Sequence, residues 1–286
     1  MNKETESAVQ WFPGHMAKTR RIIKECLPLV DCLTVVLDAR VPLSSRNPEI
    51  DALSGGKPKI YVLSKRDLAD ADVTARWLSY YGKDGFAAAV DCKTGAGLSA
   101  YVAELRRACS AVAEGYEKKG MAGRSLRTMV VGVPNSGKSS LINRMAGGRK
   151  AQTEDRAGVT KKVRWFRTEH GVDLLDTPGV LWPKFDDPAV GARLAFTGGV
   201  RDEILDFETL ACDFLAVMTA LYPEKITDRY GVAPAEYPDA YSLLEAIARK
   251  RGMMVRGGEA DTGRAAVTLF DEYRAGKLGR ISLETP

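Results

Sequence analysis

The chain has 286 residues, 45% of them hydrophobic and 28% charged, and a formal net charge of +5, as is typical of a globular protein. No apolar stretch is long enough to cross a membrane, the polar N-terminus is unlike a signal peptide, and the five scattered cysteines include no C-x-x-C pair. We therefore expect a cytoplasmic protein with no membrane partner, no disulfide partner and no zinc site.

The first two thirds of the chain alternate between helical and strand patterns. A turn at Pro13-Gly14 leads into a basic helix, and Asn47 with Pro48 resembles a helix start. Strands are predicted at 33–37, 59–63, 86–90, 126–133, 163–168 and 171–175, and helices at 70–82, at 98–119 and from residue 140. This alternation predicts an α/β fold with a mostly parallel sheet that is covered on both faces.

Strand patterns stop beyond about residue 186. Helical patterns follow at 188–196, 206–221, 239–251 and 261–275. We therefore predict two domains, an α/β domain over residues 1–185 and a small all-α domain over residues 186–286. Residues 1–30 form a basic N-terminal segment of the first domain.

The positive charge is unevenly distributed along the chain. Residues 118–167 contain 13 Lys and Arg against 2 Asp and Glu, whereas residues 200–286 contain 11 against 15. One triphosphate does not need so many cations, so the basic segment indicates a polyanionic partner such as RNA. Charge alone leaves open a solvated basic face without a partner.

Residues 132–139 read G-V-P-N-S-G-K-S, which fits the phosphate-binding loop pattern between a strand and a helix. Gly132 and Gly137 allow the backbone N–H groups to surround a polyphosphate. Lys138 is expected to reach the β- and γ-phosphates, and the Ser139 hydroxyl to hold Mg²⁺. The predicted phosphate-binding residues are Asn135, Ser136, Gly137, Lys138, Ser139, Ser140 and Gly179.

Residues 176–179 read D-T-P-G and follow a predicted strand. Asp176 can hold Mg²⁺ through water, and the Gly179 N–H can contact a γ-phosphate. Thr160, in the polar stretch 147–164, is a candidate for the hydroxyl that closes over Mg²⁺. The predicted magnesium ligands are Ser139, Thr160 and Asp176, with a plain surface turn at 176–179 as the alternative.

Residues 64–67 read S-K-R-D and resemble the N-K-x-D motif that reads guanine. The Asp67 carboxylate offers two acceptors to the two donors on guanine N1 and N2, a pair that adenine lacks. Lys65 can lie over the base plane, whereas Ser64 replaces the usual Asn and puts one hydrogen bond in doubt. A strand that ends in a charged turn is the alternative interpretation.

Residues 91–95 read D-C-K-T-G and resemble the S-A-K motif, in which a backbone N–H donates to guanine O6. Here the donor would be the N–H of Cys92, directly after the predicted strand 86–90. The predicted guanine-binding residues are Ser64, Lys65, Asp67, Cys92 and Lys93.

The base-reading motifs precede the phosphate loop, which reverses the order of ordinary GTPases and resembles that of circularly permuted GTPases. With the stretches 11–18, 38–48 and 132–135, the chain closely resembles the YlqF/RbgA family of circularly permuted bacterial ribosome-assembly GTPases, over nearly its whole length. The resemblance implies a P-loop GTPase fold in permuted order and a small all-α C-terminal domain that contacts rRNA.

The resemblance also implies a catalytic residue and a cation. Val180 follows D-T-P-G where many GTPases have a water-orienting Gln, and valine cannot orient water. The resemblance points to His15, whose neutral imidazole can accept a hydrogen bond from water. A turn residue that contacts RNA or caps the basic helix is the alternative for His15. Asn135 resembles the asparagine that helps to bind K⁺ in potassium-activated GTPases, and an Asn that simply hydrogen-bonds the loop is the alternative.

We therefore expect a GTP-hydrolysing assembly factor for the large ribosomal subunit. It would bind the subunit precursor and its rRNA with GTP and leave after hydrolysis, with GTP or GDP, Mg²⁺ and K⁺ as cofactors and with stimulation by the subunit. A GTP-gated RNA-binding module with negligible hydrolysis is the first alternative. A metabolic P-loop enzyme that uses ATP is the second, and Asp67 argues against it.

Overall fold

The computed structural model describes residues 13–83, 85–121, 123–147, 163–179, 187–200 and 206–286, with the backbone alone for 13–19. The chain divides into two compact units. An α/β unit comprises Phe12–Lys184 together with the last three residues, Glu284–Pro286, and a helical unit extends over Phe185–Leu283. The helical unit therefore ends at residue 283, three residues before the end of the predicted domain range 186–286, and the last three residues belong to the α/β unit. RNA binding by the helical unit stays a prediction.

The described part of the α/β unit contains a six-stranded sheet in the order β3-β2-β1-β4-β6-β5. Its strands are β1 Cys32–Asp38, β2 Lys59–Ser64, β3 Phe86–Val90, β4 Leu126–Val131, β5 Arg164–Arg167 and β6 Val172–Asp176. β5 pairs antiparallel with β6, and the other neighbours are parallel. The mostly parallel sheet is thus confirmed.

Helices cover both faces of this sheet. They are α1 Pro13–Cys26, α2 Glu49–Leu53, α3 Ala71–Lys83, α4 Leu98–Ala108, α5 Ser110–Lys118 and α6 Lys138–Met145. α1 and α3 contribute Ile23 and Trp77 to one apolar cluster, whereas α4 and α6 contribute Tyr101 and Leu141 to the other. Central β1 is buried throughout, as expected for a parallel strand with helices on both faces.

The chain order creates a switch point between β1 and β4. The strands β2 and β3 follow one another on one side of β1, and the next strand in the chain, β4, pairs with the other side of β1. Ligands of open α/β sheets bind at such a point, outside the carboxyl ends of the strands. The strands that precede the two base-reading motifs, β2 and β3, come before β4, which confirms the permuted order.

The predicted helix over 98–119 is interrupted. α4 ends at Ala108 and α5 begins at Ser110, because Cys109 has φ −104° and ψ 14°. Cys109 is buried in the core, whereas α5 buries none of its residues fully. The Tyr116 hydroxyl of α5 instead donates to the Asp31 carboxylate, so the break turns the chain from the core to a polar contact.

The helical unit contains α7 Pro188–Phe196, α8 Phe207–Leu221, α9 Pro223–Tyr230, α10 Ala240–Lys250 and α11 Thr262–Arg274. An aspartate caps each of the four predicted helices, α7, α8, α10 and α11, by accepting backbone N–H groups of the first turn. α9 is the helix that the sequence analysis missed, although Pro223 at its start and Gly231 at its end are typical boundary residues. Phe214 and Phe270 pack at the centre of the unit. Throughout the described ranges, the helices all lack the length and apolarity needed to cross a membrane.

Candidate functional site

The polar residues of interest lie at one edge of the sheet. Asp38, Ser64 and Asp176 are the last residues of β1, β2 and β6, and residues 91 and 132 follow β3 and β4 directly. Because these five strands are parallel, their carboxyl ends share this edge. The fold therefore brings the predicted phosphate-binding and guanine-binding motifs together.

Positions 132 and 137 of the phosphate loop require glycine, because neighbouring atoms leave no room for a Cβ atom. A Cβ atom at Gly132 would lie 2.4 Å from the carbonyl oxygen of Val36, and one at Gly137 would lie 2.9 Å from the Ser64 hydroxyl. Gly137 also has φ +98°, a conformation that favours glycine. It is the N-cap of α6, and no side chain caps this helix start. The first backbone N–H groups of a helix can bind an anion such as phosphate.

The phosphate loop borders a cavity of about 600 Å³ in the α/β unit. Its lining residues come from the loop, from α6, from β5 and from the segment that ends β6. They are Pro134, Asn135, Lys138, Ser139, Arg164, Asp176, Thr177, Pro178 and Gly179. The cavity thus joins the two predicted phosphate-binding segments.

Lys138 and Asp176 carry opposite charges in this cavity, which Arg164 also lines. The Lys138 ammonium is buried and donates to the carbonyl oxygen of Val133 at 2.7 Å. Burial lowers the pKa of Lys138 to about 8, although the charge of Asp176 opposes that shift. Burial likewise raises the pKa of Asp176 above its ordinary value, against the charges of Lys138 and Arg164. Both groups are held in an environment that disfavours their charged forms.

These residues fit a polyphosphate with a hard cation. Among the described residues, the buried Ser136 hydroxyl has no hydrogen-bond partner, and the Lys138 ammonium donates to a carbonyl oxygen and forms no direct ion pair with Asp176. No group of three His, Cys, Asp or Glu side chains in the described ranges could hold a metal ion. Ser139 and Asp176 line the same cavity, which suits Mg²⁺ that takes its other ligands from phosphates and water.

Lys65 and Ser64 connect the first base-reading motif to the phosphate loop. The Lys65 ammonium donates to Asp38 Oδ2 at 2.9 Å and to the carbonyl oxygen of Asn135 at 2.5 Å. The Ser64 hydroxyl lies within hydrogen-bond distance of two carbonyl oxygens, those of Leu37 and Ser136, and can donate to one of them at a time. The turn that begins at Ser64 is therefore fastened directly to the phosphate loop.

Asp67 meets the second base-reading motif through Lys93. The Lys93 ammonium donates to Asp67 Oδ2 at 2.9 Å. Within the 91–95 turn, the Asp91 carboxylate accepts the N–H of Lys93 at 2.8 Å and the hydroxyl of Thr94 at 2.6 Å. Burial alone would raise the pKa of Asp91, but these hydrogen bonds outweigh it and hold that pKa below its usual range.

The Cys92 side chain is unsuited to be a nucleophile at neutral pH. Burial and the nearby carboxylates of Asp91 and Asp67 raise the pKa of its thiol to about 11. A backbone role, as the sequence predicts, does not depend on that thiol.

Three residues that position the site, Asp38, Arg40 and Arg144, have no role in the sequence-based predictions. Asp38 is buried and pairs with the Arg40 guanidinium through both carboxylate oxygens, at 2.9 and 2.8 Å. Burial alone would raise the pKa of Asp38, but Arg40 and Lys65 hold it well below the ordinary value. Arg144 of α6 donates to the carbonyl oxygen of Lys93 at 2.7 Å. The stretch 38–48 did stand out in the sequence, but without a role for its residues.

Several predicted site residues fall outside the description. His15 lies in the first turn of α1, and its side chain is not among the described ones. Thr160 and Val180 lie outside the described residues altogether. Their roles stay predictions.

Comparison with known proteins places this geometry in a family. Residues 127–230 match the family model of the 50S ribosome-binding GTPase. The chain is 43% identical over 284 residues to ribosome biogenesis GTPase A of Bacillus cereus, covering 97% of this chain and 94% of that protein. The corresponding protein of Priestia megaterium is 42% identical over 281 residues, with 97% of each chain covered.

Two solved structures are similar as well. GNP-bound YlqF from T. maritima has a TM-score of 0.64 and 28% identity, with 94% of this chain and 98% of that chain covered. A GDP-bound YlqF structure has a TM-score of 0.63 and 29% identity, with 92% and 98% covered. On these grounds, the chain belongs to the ribosome biogenesis GTPase A family, YlqF/RbgA.

Proposed function

We propose that this protein is a GTPase that assists assembly of the large ribosomal subunit and that binds GTP at the carboxyl edge of its sheet. Family membership supports guanine-nucleotide binding and a role in ribosome biogenesis. The observation that carries the residue assignment is the meeting of the phosphate loop, Asp176 and the two base-reading turns at that edge.

The phosphate half of the site would bind and neutralise the triphosphate. Lys138 and the first N–H groups of α6 supply positive charge, and the segment ending at Gly179 approaches the loop closely. A Cβ atom at Gly179 would lie 3.1 Å from both the Lys138 ammonium nitrogen and Pro134 Cα. Ser139 and Asp176, with Thr160, would hold Mg²⁺, which supplies charge that stabilises the transferring phosphoryl group.

The guanine half would select the base. Asp67 offers its carboxylate to guanine N1 and N2, the Cys92 N–H donates to O6, and the stem of Lys65 lies over the ring. Lys93 adds its contact to Asp67, and Ser64 holds the turn against the phosphate loop. Adenine lacks the donor pair that Asp67 requires, so ATP would bind weakly.

His15 would orient the attacking water, since Val180 lacks a polar group for that task. Asn135 would contribute to K⁺ binding, which would add positive charge beside the phosphates. We place the salt-sensitive contact with rRNA on the basic segment 118–167 and a further contact on the helical unit. Release from the subunit would follow hydrolysis.

The test is GTP turnover by the purified protein, with and without large ribosomal subunits, in potassium and in sodium buffer. The proposal expects strong stimulation by subunits, higher turnover in potassium and loss of the stimulated rate in His15→Ala. His170→Ala is the matched control, because the sequence contains two histidines and His170 is exposed in the turn before β6. Tight GTP binding without subunit-stimulated turnover would instead favour the GTP-gated RNA-binding module.

A further inference from the structure

The end of the chain is fastened to the α/β unit by Glu284. Its carboxylate accepts the N–H of Leu43 at 2.7 Å, the N–H of Ser44 at 3.1 Å and the Ser44 hydroxyl. Its carbonyl oxygen accepts the indole N–H of Trp77 at 3.1 Å. Glu284 and Trp77 are both buried. A carboxylate held by two backbone N–H groups and a hydroxyl is a specific, charge-assisted anchor.

The anchored segment is the loop after β1, residues 39–47, here called the β1 loop. The Ser45 hydroxyl donates to the carbonyl oxygen of Val41 at 2.7 Å and accepts the backbone N–H of Asp38 at 3.0 Å. The Tyr81 hydroxyl donates to the carbonyl oxygen of Pro42 at 3.1 Å. These buried contacts make the β1 loop a rigid support for Asp38.

Asp38 in turn holds the guanine site. Its carboxylate is oriented by the Arg40 side chain and by the Arg40 N–H at 3.0 Å, and it accepts the Lys65 ammonium at 2.9 Å. Lys65 also donates to the carbonyl oxygen of Asn135 in the phosphate loop. A continuous series of polar contacts therefore leads from Glu284 through the β1 loop and Asp38 to Lys65.

We propose that Glu284 is a positioning residue for guanine-nucleotide binding, which it supports by fastening the β1 loop and thereby fixing Asp38 and Lys65. The inference rests on the proposed function, since it assumes that Lys65 belongs to the guanine site. Coupling between two sites is reciprocal. If Glu284 tightens nucleotide binding, bound nucleotide must stabilise the docked chain end by the same factor.

The first experiment measures the dissociation constant of fluorescent GDP for the full chain and for Glu284→Ala, Glu284→Gln and Asp38→Asn. We expect Glu284→Ala to weaken binding about five- to tenfold. Glu284→Gln should lie between, because the amide keeps one acceptor but sets donors against the Leu43 and Ser44 N–H groups. Thr285→Ala is the matched control, because Thr285 is exposed and directly adjacent.

The double variant Glu284→Ala with Asp38→Asn distinguishes a positioning role of Glu284 from a merely structural one. If Glu284 acts through Asp38, the two losses in affinity are less than additive, whereas losses from independent sites add. Additive losses, or a Glu284→Ala affinity within twofold of Thr285→Ala, would overturn the inference. Failure of the wild-type protein to bind fluorescent GDP would contradict the proposed function itself.

A second readout needs no variant. Hydrogen exchange of the Leu43 and Ser44 amides, which donate to the Glu284 carboxylate, should slow when GDP is added to the wild-type chain. Exchange at these amides that does not respond to GDP, while the amides of the phosphate loop do respond, would overturn the inference.

Discussion

The two halves of the site differ in how their charges are compensated. On the guanine side, Lys65 pairs with Asp38 and Lys93 pairs with Asp67, each at 2.9 Å. On the phosphate side, Lys138 donates to a carbonyl oxygen. Burial lowers the pKa of Lys138 and raises that of Asp176, and both shifts favour the neutral form of the group. The guanine half is satisfied by the protein, whereas the phosphate half carries an electrostatic cost.

The two halves of the site are therefore expected to have different roles in nucleotide binding. A buried cation without a direct ion pair is unfavourable in the free protein and becomes favourable when a phosphate arrives. The lysines of the guanine half, by contrast, already have carboxylate partners, so we expect this half to contribute selectivity with little rearrangement. We expect the phosphate half to dominate affinity and stability changes, and the guanine half to dominate the choice of base.

The largest effect is expected for Lys138→Met. Loss of the ammonium should weaken GDP and GTP binding more than about a hundredfold, because the buried charge no longer meets the phosphates. The same change should stabilise the nucleotide-free protein at pH 7 by about 1–3 kcal/mol, because it removes a cation that burial disfavours. Nucleotide affinity and urea unfolding measure the two effects.

Lys118→Met is the control for this change, because Lys118 is exposed at the end of α5. A nucleotide-free Lys138→Met protein that is less stable than wild type would contradict the electrostatic cost that we assign to the phosphate half.

The next effect concerns the base. Asp67→Asn should weaken GDP binding by about 2 kcal/mol or more, because an amide cannot accept both guanine donors. It should also favour xanthosine diphosphate, whose carbonyl at C2 can accept from the new amide. Competition between the two nucleotides measures the change, with exposed Asp72→Asn as control. An unchanged preference for guanine would remove Asp67 from the base-reading role.

A pH dependence follows from Lys138. Its pKa in the free protein is about 8, and a bound phosphate would raise it, so binding above pH 8 must take up a proton. Affinity should therefore fall as pH rises through 8, and proton uptake should appear as a buffer-dependent heat in calorimetry. In the unfolded chain the pKa returns to 10.5, so this group makes the nucleotide-free protein more stable as pH rises from 8 toward 10.5.

Lys138→Met is the control for the pH profile as well. A wild-type binding heat at pH 8 that is the same in buffers of different ionisation enthalpy would contradict the assigned pKa.

The smallest effect is expected for Ser64→Asn. The single hydroxyl proton serves one of two carbonyl oxygens, those of Leu37 and Ser136, whereas an amide can donate to both. One additional hydrogen bond is worth about 1 kcal/mol, or roughly a fivefold gain in GDP affinity. Ser64→Ala should lower the affinity instead. If Asn and Ala shift the affinity in the same direction, hydrogen bonding at this position is not what matters.

Much of the fold could be predicted because its strands are short apolar runs, as parallel strands buried on both faces must be. The break at Cys109 was missed, since residue patterns do not reveal where a helix turns away from the core. Helix α9 was missed although Pro223 and Gly231 mark its ends. The phosphate loop could be found because phosphate binding needs glycines and a lysine at fixed local spacing.

The α/β class, the permuted motif order and the family could be predicted before folding was considered, because they depend on local residue patterns and on the order of those patterns along the chain. Which group each charged side chain contacts follows only from the folded chain. Lys65 pairs with Asp38 across 27 residues, Arg144 holds Lys93 across 51, and Glu284 fastens Ser44 across 240. Such contacts depend on where the fold brings distant segments together. Burial at those places, rather than residue type, decides whether the charged form of a side chain is stabilised or destabilised.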